Sequence, residues 1–172
     1  MTNSEKLWGF LLERLERGVP VGLLAVVDSR GSTPAKAGAK MAVAADGKRE
    51  GTIGGGAMER HGVEQIRKRL GEGIVTQRIE RQEPHGDGSG RSCGGVQTLI
   101  LHLCSAQDRA PIASLLRAIR QRDSVVFRID PSGLALVEAS QNRLSQPGER
   151  GRLSVSISVA SPSFQSSRVA NA

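Results

Sequence analysis

Residues 51–60 read GTIGGGAMER, three consecutive glycines set between an extended segment and a helical one. Upstream, MAVAA (41–45) and KREGTI (48–53) flank Asp46-Gly47 and read as a hairpin, because Asp-Gly supplies the positive φ angles of a type I′ turn. Downstream, AMERHGVEQIRKRLG (57–71) places Val63, Ile66 and Leu70 on one helical face. Glu59 lies in its first turn and Arg67, Lys68 and Arg69 in its last, charges that complement the helix dipole. A strand passed through glycines to a helix exposes backbone N–H groups at the positive end of that dipole, which is a cradle for an anion. Glycine suits the position because a Cβ would hold the anion away and would disfavour the required positive φ. The other reading is a tight turn that needs glycine for chain reversal and close packing. No Lys-Ser or Lys-Thr follows, so this is not a Walker A loop, and the spacing is not that of GxGxxG.

Working outward, VGLLAVVDS (21–29) is a continuous apolar run with β-branched residues, as expected of a strand covered on both faces. Before it, Leu7, Leu11, Leu12 and Leu15 share the face of a first helix that Gly18 is placed to end. Between strand and hairpin lies the irregular loop GSTPAKAGAK (31–40). After the second helix, IVTQRIE (74–80) reads as a short strand, RQEPHGDGSGRSCGG (81–95) as a polar loop, and VQTLILHLC (96–104) as another buried strand. Pro111 opens a third helix with Ile112, Leu115, Leu116 and Ile119 at helical spacing, and SVVFRID, PSG and LALVEA form a further hairpin. The expected fold is a single α/β domain, a mixed β-sheet flanked by helices, over residues 1–139. Residues 140–172, rich in Ser, Gln and Arg, read as a polar and largely mobile tail, with SVSISVA compatible with one edge strand.

The 172 residues suffice for a core without disulfides or metals, and no apolar run approaches the roughly 18 to 20 residues that span a bilayer. The acid-containing N-terminal segment does not have the form of a signal peptide, so a cytoplasmic location is expected. A net charge of +7 invites a nucleic-acid reading. Against it, the only aromatic residues are Trp8, Phe10, Phe127 and Phe164, so no stacking platform exists, and no helix-turn-helix or zinc-finger spacing is found. The same charge suits an anionic small ligand or an acidic protein partner.

Several residues are candidates for chemistry. Ser32, Thr33 and Lys36 offer hydroxyls and a cation beside a glycine turn, or are ordinary turn residues. Cys93, between a polar loop and a strand, is either a reachable thiolate able to ligate a soft metal or carry sulfur, or a small buried apolar residue. Cys104 ends an apolar strand and reads as packing. His61 and His85 sit in no pairing motif, and His102, alternating with leucines, faces solvent or a satisfied core partner. No histidine-carboxylate cluster has metal-ligand spacing, so no metal held by the protein alone is expected.

Taken in order, AVVDSRGSTPAKAGAKM, DGKREGTIGGGAMER and SCGGVQTLIL resemble three successive blocks of the XdhC/CoxI family, from about Pro20 to Leu103. The resemblance is to the N-terminal domain. It implies binding of molybdenum cofactor (molybdopterin), often sulfurated, and its insertion into xanthine dehydrogenase, CO dehydrogenase or a related molybdenum hydroxylase, as an accessory chaperone rather than an enzyme. On that resemblance Gly54, Gly55 and Gly56 would hold an anionic group such as the cofactor phosphate, with Ser32 and Thr33 lining the same pocket. Cys93, in the Cys93-Gly94-Gly95 block, becomes the candidate for contact with molybdenum or its sulfur. Ala57 stands where many relatives place cysteine, which argues against a two-cysteine mechanism, and no GxGxxG turn follows Ala139, so nucleotide binding is not carried over. The alternative is a sulfur-transfer enzyme or accessory redox subunit acting through Cys93, with a cysteine desulfurase as partner. A homodimer is also compatible with the family.

Overall fold

A computed structural model describes residues 2–31, 33–72, 77–82, 96–123, 125–130, 133–137 and 155–159. Helix α1 (Asn3–Glu16) starts at a capping box in which the Thr2 hydroxyl and the Glu5 carboxylate satisfy each other's backbone amides, and it ends before Gly18 at φ 67°. Strands β1 (Val21–Arg30), β2 (Lys40–Ala44) and β3 (Arg49–Thr52) follow, then helix α2 (Gly56–Glu72) and strands β4 (Gln77–Gln82) and β5 (Val96–Cys104). A 3-10 turn (Ala106–Asp108) leads into helix α3 (Arg109–Gln121), and β6 (Val125–Asp130), β7 (Gly133–Val137) and β8 (Val155–Val159) complete the described elements.

The α/β class with helices flanking a sheet is as expected. The described pairings are all antiparallel, however, rather than of mixed direction: a five-stranded sheet in the order β3-β2-β1-β5-β4 and a three-stranded sheet β7-β6-β8. Burial alone does not reveal strand direction. β1 is central and covered on both faces, so its run looks the same as that of a parallel strand. The turn at Asp46-Gly47 does reverse the chain, but only Gly47 takes a positive φ, 85°, so it is not type I′, which would require Asp46 to be left-handed as well. SVSISVA supplies β8, paired to β6; the rest of 140–172 lies outside the described residues.

Alternate residues of the central strands feed two cores. Leu23, Ala25, Ala42 and Ile100 meet α1, α3 and the second sheet, where Trp8 packs edge-on against Phe127 with ring centroids 4.7 Å apart. Leu24, Val26, Met41 and Leu101 on the other face meet Ile53 and Ile66, the latter from α2. α2 lies close because glycines face it: a Cβ on Gly22 would touch the Ile66 side chain at 3.0 Å, and one on Gly62 would come 2.6 Å from the Leu24 side chain. That fixes the glycine-rich start of α2 over the end of the sheet where β1 finishes and β5 begins, since Arg30 pairs with Val96. Among the described residues no helix is long and apolar enough to cross a membrane.

Candidate functional site

The three sequence blocks converge at this end of the sheet. Gly54, at φ 110°, is pressed against the β1–β2 loop so closely that a Cβ would lie 2.8 Å from Pro34 Cβ and 2.9 Å from its carbonyl carbon. The same loop is held from β5, where Gln97 Nε2 donates to the Ala35 carbonyl at 2.8 Å. Thr33 Oγ1 donates to that carbonyl too, at 3.0 Å. Thus Thr33 and Gly54–Gly56 are brought together with the strand that follows the cysteine block. Ser32, Cys93, Gly94 and Gly95 lie outside the described residues, as does His85.

The glycine turn differs from an open anion cradle in one respect. Gly54, Gly55 and Gly56 all have positive φ, 110°, 77° and 63°, as expected of a strand-to-helix glycine run. Its amides, however, face a carboxylate of the chain itself: Glu59 Oε1 accepts from Ile53 N at 3.2 Å and from Gly55 N at 3.0 Å, and from the Thr52 hydroxyl. Gly54 N donates to Thr52 Oγ1 at 3.2 Å. An external phosphate therefore meets a nest in which these donors are engaged. Burial pushes the Glu59 carboxyl up, but the Thr52 hydroxyl, the Gly55 and Ile53 amides and the Arg49 charge outweigh it and hold it below the ordinary carboxylate value. Because the folded value is lowered, this contribution to stability is present above the unfolded pKa, near 4.5, and is lost as pH falls through the folded one. Glu59→Gln keeps an acceptor oxygen but loses the charge. We expect it to cost about 1 kcal/mol after allowance for partial exposure, read as a melting temperature lower by roughly 2–4 °C at neutral pH and a gap that closes in acid.

Above the turn, no described residue lies within 4 Å of where a Cβ on Gly55 or Gly56 would sit. At the base, Gln97 is 2% exposed, and with Nε2 committed to Ala35 its Oε1 is a buried acceptor with no hydrogen-bond partner among the described residues. The amide cannot be flipped without setting oxygen against the Ala35 carbonyl. Lys36, the loop cation singled out from the sequence, is exposed. Lys40 is the more confined cation; it shares the sheet face of Ala42, donates to Gly38 O at 2.7 Å, and is lowered to about 8 by burial.

Much of the sequence that builds this arrangement matches a known family. Residues 14–80 match the XdhC and CoxI family. The chain belongs to that family. The XdhC/CoxI chain is 34% identical over 134 residues to the molybdenum cofactor insertion chaperone PaoD of Escherichia coli (strain K12), an alignment covering 74% of this chain and 40% of PaoD. It is 37% identical over 95 residues to the uncharacterized protein YqeB of the same strain, covering 55% of this chain and 17% of YqeB. A solved structure from Bacillus halodurans described as a xanthine dehydrogenase has the same fold, with TM-score 0.66 and 19% identity over 92% of this chain and 53% of that one. The XdhC/CoxI chain thus spans less than two thirds of the length of these proteins.

Among the residues that sequence reasoning set aside, His61 is exposed on α2. His102, 2% exposed, takes the core alternative and not the solvent one: its Nε2 lies 3.1 Å from Asp108 Oδ2, while its Nδ1 is buried with no hydrogen-bond partner among the described residues. With Cys104 these place three buried donor atoms within 4.8 Å of one another. The sequence reading expected no such cluster, because Asp108 is brought back by the 3-10 turn rather than by a regular spacing. The Asp108 oxygens also accept from Ser105 N at 2.7 Å and Leu134 N at 3.1 Å, so the group clamps the fold together. Cys104 packs in the core as expected, and burial, followed by the Asp108 charge, pushes its thiol well above the usual value.

Proposed function

We propose that this domain binds molybdenum cofactor at the glycine end of its sheet and delivers it, in the cytoplasm, to the apo-form of a molybdenum hydroxylase such as xanthine dehydrogenase or CO dehydrogenase, without turnover of its own. The observation that carries the reading is the junction at Gly54, where the glycine turn, the Thr33–Ala35 loop and the start of β5 meet, with no other described residue close above Gly55 and Gly56. Likeness to PaoD, whose own name is that of a molybdenum cofactor insertion chaperone, supports the choice of cargo.

In this proposal the glycines serve mainly by bareness. Glu59 occupies the Ile53 and Gly55 amides, so Gly55 and Gly56 act as a surface without side chains on which a flat ring system can lie, and the phosphate is held elsewhere. Gln97 Oε1 offers a buried acceptor suited to a pterin N–H. Ser32 and Thr33 line the same pocket, while Cys93, flanked by Gly94 and Gly95, contacts the molybdenum or its sulfur, which makes the sulfurated cofactor the natural cargo.

The protein is produced anaerobically in a host that makes the cofactor, purified and oxidised, and the released pterin is measured by fluorescence. Wild-type protein should carry nearly one pterin per chain and Cys93→Ala several-fold less. Absence of pterin from both proteins would refute the proposal, and equal loading of both would refute the role of Cys93.

A further inference from the structure

At the end of the sheet opposite the glycine turn, β5 carries His102 and Cys104 two residues apart, so both side chains leave the strand on one face. The capping box at Ser105 then turns the chain back and sets the Asp108 carboxylate against them. An imidazole nitrogen, the thiol sulfur and a carboxylate oxygen thereby lie within 4.8 Å of one another, all on buried residues. The clamp that Asp108 forms involves His102, Ser105 and Leu134 and leaves the thiol out of it.

Imidazole, thiolate and carboxylate together are a donor set for a borderline ion such as zinc. Tetrahedral zinc, with bonds of about 2.0 Å to nitrogen and oxygen and about 2.3 Å to sulfur, sets its donors about 3.3–3.5 Å apart. His102 Nε2 and Asp108 Oδ2 already stand at 3.1 Å. Cys104 Sγ must close from at most 4.8 Å, a distance within the swing of a thiol about its own Cα–Cβ bond. The carboxylate is oriented by the Ser105 and Leu134 amides, as ligating carboxylates are. One thiolate and one carboxylate cancel the charge of a divalent ion, so the loaded site adds no net charge to the interior. A cleft of about 330 Å³, walled by Val19, Leu70 and Leu103 and bordered by Cys104 and Ser105, reaches the thiol from outside.

We propose that His102 Nε2, Cys104 Sγ and Asp108 Oδ2 form a buried zinc site, filled through this cleft. The incoming ion displaces the thiol proton to solvent, the imidazole proton passes from Nε2 to Nδ1, and a water completes the tetrahedron. The ion takes the place of the His102–Asp108 hydrogen bond and keeps the rest of the clamp. The inference does not depend on the cargo assigned to the glycine end.

The test uses the full chain, reduced and stripped of metal. Loaded with zinc and desalted, it should retain one equivalent, and free zinc at about 100 times Kd should raise its melting temperature by roughly 5 °C or more. With cobalt(II) it should show a thiolate-to-metal charge-transfer band in the near ultraviolet. The chain has two cysteines, Cys93 and Cys104, so substitution assigns the band. Cys93→Ala should keep both the band and the zinc, and because Cys104 is then the only thiol, this variant decides even if a change at Cys104 prevents folding. Cys104→Ser should lose the band and bind zinc at least about 100-fold more weakly, since changes to groups that merely orient a ligand already cost 10–100-fold. The proposal is overturned if no zinc is retained, if cobalt gives no thiolate band, or if the band disappears in Cys93→Ala.

Discussion

Gly54→Ala should be among the most damaging single-atom additions that this fold can receive. Two independent costs act at that position. A residue with a Cβ is strained at φ 110°, which costs about 1–2 kcal/mol. The added carbon also meets the Pro34 carbonyl carbon at 2.9 Å, and a backbone atom cannot rotate out of the way as a side-chain tip can, so the loop must move as a whole at a cost of about 1–3 kcal/mol. Together they amount to about 3 kcal/mol, seen as a melting temperature lower by roughly 6–12 °C. Gly56→Ala is the control: φ is 63°, no described residue lies within 4 Å of the added carbon, and the expected loss is about 1 kcal/mol. Pterin content should fall in Gly54→Ala even at a temperature where the protein remains folded, because the displaced loop carries Thr33 and Ala35. If the two variants melt together, the close approach of Gly54 to Pro34 is not what holds the site.

The sequence makes the glycine turn legible but not its occupant. Three glycines before a helix announce positive φ, which is found, and free amides, which are not, because Glu59 folds back to take those of Ile53 and Gly55 and Thr52 takes that of Gly54; that depends on the side chain of a residue that sequence logic treats only as a charge complementing the dipole. A signal was present in the spacing, since Glu59 lies four residues beyond Gly55, within reach of the nest it closes. Gln97 was hidden differently. In VQTLILHLC it reads as the polar start of an apolar strand, and only the antiparallel register that sets Ser29 beside it brings the β1–β2 loop within reach of its amide. Helix positions were readable because Leu7, Leu11 and Leu15 repeat at helical spacing and are buried as a stripe. Strand direction was not, since a two-sided apolar strand carries no mark of its neighbours' orientation.

Asp108→Ala should be comparably severe, for a reason unrelated to any ligand. Its carboxylate, 1% exposed, receives His102 Nε2 and Ser105 N on one oxygen and Leu134 N on the other, so it ties together the end of β5, the entry to α3 and the start of β7. Removing it strands three donors at once, two of them buried and one half-buried, and about 3–5 kcal/mol is expected, or a melting temperature lower by roughly 10 °C. Asp108→Asn keeps the shape but turns an N–H toward donors on one side, so it should fall between wild type and alanine. The pH dependence separates this clamp from simple packing. Burial pushes the carboxyl up, but the hydrogen bond and charge of His102 and the amides of Ser105 and Leu134 outweigh it and leave it below the ordinary value of 3.8. With the folded pKa depressed, the unfolded chain takes up the proton first as pH falls, so the stabilisation is complete above the unfolded value and drains away below about pH 4 as the folded value is approached. Denaturant titrations of the wild type and Asp108→Asn at a series of pH values should therefore converge in acid and diverge toward neutrality. A gap that stays constant across the range would mean that Asp108 contributes by its shape and not by its charge.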